Sequence, residues 1–359
     1  MKNFNKEIEI NGNKIGKDYP TYFIADVAAS HDGELSRAID LIYQCAEQGA
    51  NAAKFQHFQA ETIVSDFGFK SLGSQKSHQA KWKKSVFEVY EDASVPFHWT
   101  QELKKAADDA GIDFFTSPYS LDLVDKVDPY VCAFKIGSGD LTWHEIIAHI
   151  ASKDKPYILA SGASTLSEVK DAVEIGLAIN QDFCLMQCNT NYTASNDNFN
   201  YINLNVLNSF RKEFPEIILG LSDHTPGHTT VLGAVAMGAR IIEKHFTDDN
   251  FRDGPDHLFS MNPESWSEMV TRTRELEASL GSGIKIVEDN EGETVVLQRR
   301  ALCAKRPLKS GEVLSQDNIF PLRPIPSDGI PPYKIEEVIG KKITKDMTKG
   351  EYFKWIDLE

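Results

Sequence analysis

Two short stretches hold the residues best able to do chemistry: "GLSDHTPGH" (220–228) and "IIEKHF" (241–246). Each is an apolar run that ends in polar groups, and His224 and His245 close the two runs at matching places. Two neutral imidazoles with a carboxylate and water make a site for a borderline divalent cation such as Mn2+, Fe2+ or Zn2+. The plainer alternative is a histidine pair that holds loops by hydrogen bonds. His228 and His257 stand nearer to loops and carry a metal reading less well. Lys54 and Lys135 lie in the apolar runs "AAKFQHF" and "CAFKIGSGD", where an ammonium needs a carboxylate or an anionic ligand. Ser138, Ser161 and Ser222 end neighbouring runs, so a phosphate or carboxylate is the natural guest. A Schiff-base lysine is the competing chemistry; two lysines among serines suit anion binding better.

These residues need elements to hold them, and the chain supplies a regular alternation. Eight apolar runs, "YFIADVAAS", "NAAKFQHF", "IDFFTSPY", "VCAFKIGSGD", "PYILASGAS", "FCLMQCNT", "EIILGLSDH" and "ARIIEKHF", are each followed by a segment of helical spacing, with glycine stops at Gly49 and Gly111. Strand–helix alternation implies parallel pairing, and eight units in about 280 residues fit an α/β fold of the closed (β/α)8 TIM-barrel type. An open doubly wound sheet is the alternative. No GxGxxG follows the first run and no GxxxxGK[ST] occurs, so the nucleotide-binding versions of that sheet have no support. In a TIM barrel the chemistry sits at the C-terminal strand ends. All eight runs end there in polar groups: Asp26; Lys54 and Gln56; Thr116 to Tyr119; Lys135 and Ser138; Ser161; Gln187, Asn189, Thr190 and Tyr192; Ser222, Asp223 and His224; Glu243, Lys244 and His245. Singly each could be a loop-edge residue; together they read as a polar pocket.

The span 61–98 is too long for a plain strand-to-helix loop, and its "KWKKSVFEVYED" reads as a short helix in a lid or substrate wall. After Gly283 the pattern changes. The barrel is assigned to 1–284, a polar linker to 285–298 and a small β-rich domain to 299–359, with four prolines between 324 and 332. A domain of about 60 residues is marginal alone and calls for docking. The 359 residues carry a formal net charge of −15, which speaks against nucleic acid and anionic membranes as partners. The first residues lack the apolar core of a signal peptide, and no stretch approaches the ~20 apolar residues of a membrane helix. The five cysteines (45, 132, 184, 188, 303) include no CxxC. Cys184 and Cys188 would lie ~13 Å apart along a strand, too far to share a metal or a disulfide. Free thiols in a reducing cytoplasm are expected.

Taken in order, "IADVAASHDG", "AAKFQHF", "FKIGSGD", "ILASGAS", "GLSDHTPG", "IIEKHFT" and "DGPDH" resemble the motifs of the sialic acid synthase (N-acetylneuraminate synthase) family, and the C-terminal stretch resembles its antifreeze-like (SAF) domain. The resemblance spans nearly the whole chain. It implies a transferase that condenses phosphoenolpyruvate with an N-acetylmannosamine-like aldose and releases phosphate. It implies a divalent metal, Mn2+ with Mg2+ or Co2+ as alternatives, on His224 and His245. Phosphoenolpyruvate contacts would fall on Lys54, Lys135, Ser138, Ser161, Thr190 and Ser222. Sugar contacts would fall on Asp26, Gln56, Tyr192, Asp256 and Arg323, with Asp26, Lys54 and Lys135 catalytic. It further implies a domain-swapped homodimer in which Arg323 serves the other subunit. Asp26 stands where the family has glutamate, Ser30 where it has asparagine, and Thr190 where familiar members have asparagine or serine. These departures bear on the sugar more than on the reaction class. A synthase for another aldose, or a non-catalytic sugar-binding homologue, are the rival readings.

Overall fold

The computed structural model describes residues 4–74, 79–80 and 82–359. The chain divides into two compact units, Met1–Gly281 and Ser282–Glu359.

The first unit is the expected barrel. Strands β3 (Tyr22–Asp26), β4 (Ala52–His57), β5 (Asp113–Pro118), β6 (Phe134–Ile136), β7 (Tyr157–Ala160), β8 (Phe183–Cys188), β9 (Ile218–Asp223) and β10 (Ala239–His245) run parallel in sequence order. β10 returns beside β3 and closes the ring, with His245 opposite Asp26, so the open-sheet alternative is excluded. The strands are apolar throughout because both faces are covered, one by helices and one by the barrel interior; β3, β5, β7, β8 and β9 are buried at every residue. The helices are one-sided. Helix Leu35–Glu47 buries Ala38, Leu41, Ile42 and Cys45, the spacing of a single stripe. Gly49 takes a φ of 85°, which lets the chain turn straight into β4. Helix Leu166–Leu177 begins at a capping box formed by Thr165 and Glu168.

A further element precedes the barrel. β1 (Glu7–Ile10) and β2 (Asn13–Gly16) form an antiparallel hairpin that buries Ile8, Ile10 and Ile15 in the main core. Asn11 and Asn13 donate to the carboxylate of Asp113, the first residue of β5, which also accepts from the Tyr22 hydroxyl at the start of β3. The hairpin thus plugs the N-terminal end of the barrel.

The inserted span holds helices Ala60–Ile63, Asp66–Ser71 and Val86–Ala93, so the described part of "KWKKSVFEVYED" is helical from Val86; Lys81 lies outside the described residues. In the second unit, β11 (Ala301–Ala304) and β12 (Ile319–Leu322) pair antiparallel over a core of Leu302, Leu308, Leu314, Ile330, Ile343 and Phe353 among others. The polar segment ahead of it is more ordered than a linker, with helix Gly292–Gln298 inside it. All five cysteines are free.

Two buried histidines set a pH dependence. His57, on the outer face of β4, touches the Thr116 and Thr100 hydroxyls, and burial pushes its imidazole down to about 4. His31, buried against Trp99, is likewise pushed down to about 4, first by burial. Both fold neutral. An unfolded histidine takes up its proton near pH ~6.5, so the unfolded chain binds more protons than the folded one below that pH. Stability is therefore full above pH ~6.5 and falls as pH drops toward 4. Thermal melts from pH 7.5 to 4.5 should show a falling Tm, and His57→Gln should flatten part of the slope. Equal slopes for both chains would remove His57 as a cause.

Candidate active site

Strand alternation sends every second side chain into the barrel. At the C-terminal end these are Asp26, Lys54, Gln56, Ser117, Lys135, Cys188, Ser222, Glu243 and His245, and at its centre lies a buried charge cluster. Lys54 Nζ sits 2.7 Å from Asp26 Oδ2 and 3.7 Å from Glu243 Oε2. Lys135 Nζ lies 3.2 Å from Glu243 Oε1, which also accepts from the Ser222 hydroxyl at 3.1 Å. Both lysines and both carboxylates are buried. Burial alone would neutralise the carboxyls. The Lys54 ammonium holds Asp26 below the usual carboxylate range, and Lys135 and Lys54 do the same for Glu243. Lys54 is in turn held above its ordinary value, because Asp26 and Glu243 outweigh its burial.

Asp26 is fully engaged. Besides Lys54, its Oδ2 accepts from Gln56 Nε2 at 3.0 Å, and its Oδ1 accepts from the Ala28 amide at 3.1 Å. Glu243 is the residue that sequence reasoning passed over; it counted only as one polar group at a strand end. Its position two residues before His245 places it on the same inward face, which was the available signal. Its Oε2 is buried without a hydrogen-bond partner among the described residues.

Ser138, Thr190 and Cys188 meet at Gly162. A Cβ there would lie 2.5 Å from Thr190 Cγ2, 2.8 Å from Ser138 Oγ and 3.1 Å from Cys188 Sγ, so only glycine lets this wall close. The Gly162 amide donates to Ser138 Oγ at 3.0 Å. Ser161 Oγ donates to the Met186 carbonyl and lies 3.5 Å from Gln187 Oε1.

The two histidines come together as expected, with ring centroids 5.4 Å apart. His224 Nδ1 lies 2.8 Å from the Asn189 carbonyl. A carbonyl only accepts, so Nδ1 carries the proton and Nε2 keeps its lone pair. Burial and the neighbouring His245 push the His224 imidazole down to about 3, so it stays neutral. His245 Nε2 is 3.6 Å from Asp26 Oδ2, and its Nδ1, 3.9 Å from Asp256 Oδ2, is buried with no hydrogen bond among the described residues. Asp256 accepts from the Ala29 amide. Tyr192 packs edge-on to His224 at 4.3 Å, and Phe259 lies 4.9 Å from His245. Among the described residues no three His, Cys, Asp or Glu side chains gather as a full metal cage. His228 stands at the N-terminus of helix Thr229–Ala236 without a side-chain capping bond, and His257 is buried between Thr247 and Asp32, which holds the loops together.

Beyond the imidazoles a cavity of about 990 Å3 opens, bounded by Ala29 and Tyr192 within and by Trp82, Val89, Arg252 and Leu258 outside. Arg37 makes a bidentate contact to Asp248 at 2.7 and 2.5 Å, a bond to the Ser30 carbonyl and an ion pair with Asp32, which lines the cavity. Of the sequence candidates, Arg323 is the one carried by the second unit, where it is exposed.

A TIM barrel with cations, hydroxyls and two imidazoles at the C-terminal strand ends is an enzyme's architecture, and comparison with known proteins gives the class. The NeuB family profile matches residues 41–285 and the SAF domain profile residues 299–359. The chain is 33% identical over 358 residues to N,N'-diacetyllegionaminic acid synthase of Legionella pneumophila, covering 98% of each. It is 29% identical to human N-acetylneuraminate-9-phosphate synthase, covering 92% of this chain and 91% of that one. The crystal structure of an N-acetylneuraminic acid synthetase from Leptospira borgpetersenii superposes with a TM-score of 0.71 at 28% identity, covering 82% of this chain and 96% of that one. The chain belongs to the NeuB family, that of the sialic acid synthases.

Proposed function

We propose that the chain condenses phosphoenolpyruvate with an N-acylated aldose of the N-acetylmannosamine type, giving a nine-carbon 2-keto acid and phosphate. The observation that carries this reading is the pair of buried lysines, Lys54 and Lys135, converging under Ser222 and beside two imidazoles. C3 of phosphoenolpyruvate bonds to the aldehyde carbon, whose oxygen takes a proton. Water adds at C2, and the C2–O bond to phosphate then breaks. Lys54, Lys135, Ser138, Ser161, Thr190 and Ser222 hold the anion and stabilise the leaving phosphate. Gln56, Tyr192 and Asp256 face the sugar. Asp26 orients a sugar hydroxyl or handles the proton.

The donor set fits a divalent cation. His224 presents a free lone pair, and His245 has a buried nitrogen with no hydrogen bond among the described residues. His224 and His245 would hold Mn2+, or Mg2+ or Co2+, leaving other positions to water and substrate, and the bound ion would polarise the aldehyde as a Lewis acid. A Schiff base finds less support, because the carboxylates keep Lys54 an ammonium. No described helix is long and apolar enough to cross a membrane, and five free thiols fit a cytoplasmic setting.

Phosphate release with phosphoenolpyruvate and Mn2+ should be measured over N-acetylmannosamine, its 6-phosphate and diacetamido relatives. At least one sugar should give stoichiometric phosphate. Silence with all of them, from a folded and metal-loaded chain, would favour the non-catalytic binder.

In keeping with the family resemblance, the second unit would cap a partner's barrel, and the site would be composite. An inactive Arg323→Ala chain mixed with an inactive Lys54→Ala chain should then recover up to about a quarter of wild-type activity if subunits pair at random and each dimer presents two sites. Absence of recovery after proven subunit exchange argues for a site built within one chain.

A further inference from the structure

We propose that the Lys244–Asp223 ion pair is a positioning element that sets the spacing of the His224 and His245 imidazoles, and with it their affinity for a divalent cation. This rests on the metal reading above. The register pairs Lys244 with Asp223 across β10 and β9, and Glu243 with Ser222 beside them. Ser222, His224, Glu243 and His245 face the barrel axis, so the two residues between them face outward, directly behind the site.

There Lys244 Nζ bonds Asp223 Oδ2 at 2.5 Å and the Thr225 carbonyl at 2.6 Å. The same carboxylate oxygen accepts from the Thr225 and Thr230 hydroxyls, each at 2.8 Å. Thr225 immediately follows His224, and Thr230 lies in helix Thr229–Ala236. The ammonium thus ties β10 to the chain on both sides of His224, while the helix fixes the carboxylate from behind. Lys244 and Asp223 are 1% and 2% exposed, so solvent takes no part.

Elsewhere on the outward faces of the barrel strands, His57 meets the Thr116 and Thr100 hydroxyls, Gln187 the Ile202 carbonyl, and Arg240 the backbone carbonyls of Lys17, Val235 and Ala239. Among the described residues, the one ion pair between outward-facing residues of the barrel strands stands behind the two histidines. Burying a charge pair gains little stability over an apolar pair of similar volume. What it adds is fixed geometry: a salt bridge between adjacent strand ends resists sliding and splaying of the two side chains that follow.

The test removes both charges together, so that neither is left buried alone. In Lys244→Met/Asp223→Leu the Thr225 and Thr230 hydroxyls keep each other at 3.0 Å. The double variant should melt close to wild type, keep its KM for phosphoenolpyruvate within about twofold, and bind Mn2+ ~10–100-fold more weakly by calorimetry, the range typical for groups that orient metal ligands. Its kcat at limiting Mn2+ should fall and recover as Mn2+ is raised. Should the double variant fail to fold, Thr230→Val loosens the carboxylate without unpairing a charge and should weaken Mn2+ binding in the same direction. A folded variant of either kind that binds Mn2+ as wild type does would overturn the inference while leaving the metal reading intact. A wild-type chain that binds no divalent cation would remove both.

Discussion

Replacing His224 or His245 with alanine should each cost at least ~1,000-fold in turnover, and both should weaken Mn2+ binding. A metal Lewis acid supplies several kcal/mol of transition-state stabilisation, and each 1.36 kcal/mol is about tenfold in rate. The two rings lie 5.4 Å apart in one aromatic-walled recess, so on the proposed reading they would serve one ion and neither would replace the other. The losses should not reflect unfolding. Both side chains sit at the barrel mouth rather than in the packed interior, and the buried strands beneath them are unchanged. Circular dichroism melts would separate the two explanations. If both variants, stripped by chelation, still ran at the wild-type rate, the metal assignment would be wrong.

The second large effect is expected at Asp26. Its carboxylate lies between the buried lysines and the imidazoles, 2.7 Å from Lys54 and 3.6 Å from His245. Asp26→Asn keeps the shape but removes the charge, leaving Lys54 with Glu243 at 3.7 Å as its counter-ion. It also turns one acceptor oxygen into a donor facing either Lys54 and Gln56 or the Ala28 amide. We expect a folded, metal-binding chain with at least ~100-fold lower turnover, the scale of lost general acid–base help or of a reacting group displaced by about 1 Å. Near-normal turnover on the true sugar would make Asp26 a loop-holding residue, as its bond to the Ala28 amide allows. Relative to the glutamate that the family resemblance leads one to expect, an aspartate here is drawn back toward Lys54 and leaves more room beside the imidazoles. The substrate panel will show whether a bulkier aldose uses that room.

The barrel could be read from the chain because a parallel strand covered on both faces is a continuous apolar run, and eight such runs alternate with one-sided helices. Lys54, Lys135 and the two histidines stood out because charge or imidazole is conspicuous in such runs. Glu243 and Lys244 were blurred by adjacency. "EKH" is three polar residues in a row, and only strand alternation sorts them into inward, outward and inward. The N-terminal hairpin escaped for a different reason. "EIEINGNKIG" carries the period-2 pattern and the Asn-Gly turn of a hairpin, but its strands are four residues each and a short polar segment before a barrel attracts no functional question. The meeting of Ser138, Cys188 and Thr190 at Gly162 depends on backbone approach across three loops, which no local pattern encodes.

That hairpin has a kinetic consequence. Residues 7–16 seal the floor, opposite the end that carries the polar ring. Glu243, with the two lysines against it, lies one layer deeper than His245 along β10. A molecule bound at the lysines must therefore enter before its co-substrate fills the level above, and what remains of it can leave only after that level clears. Steady-state kinetics should accordingly be compulsory-order, with the anion leading and phosphate departing behind the sugar acid.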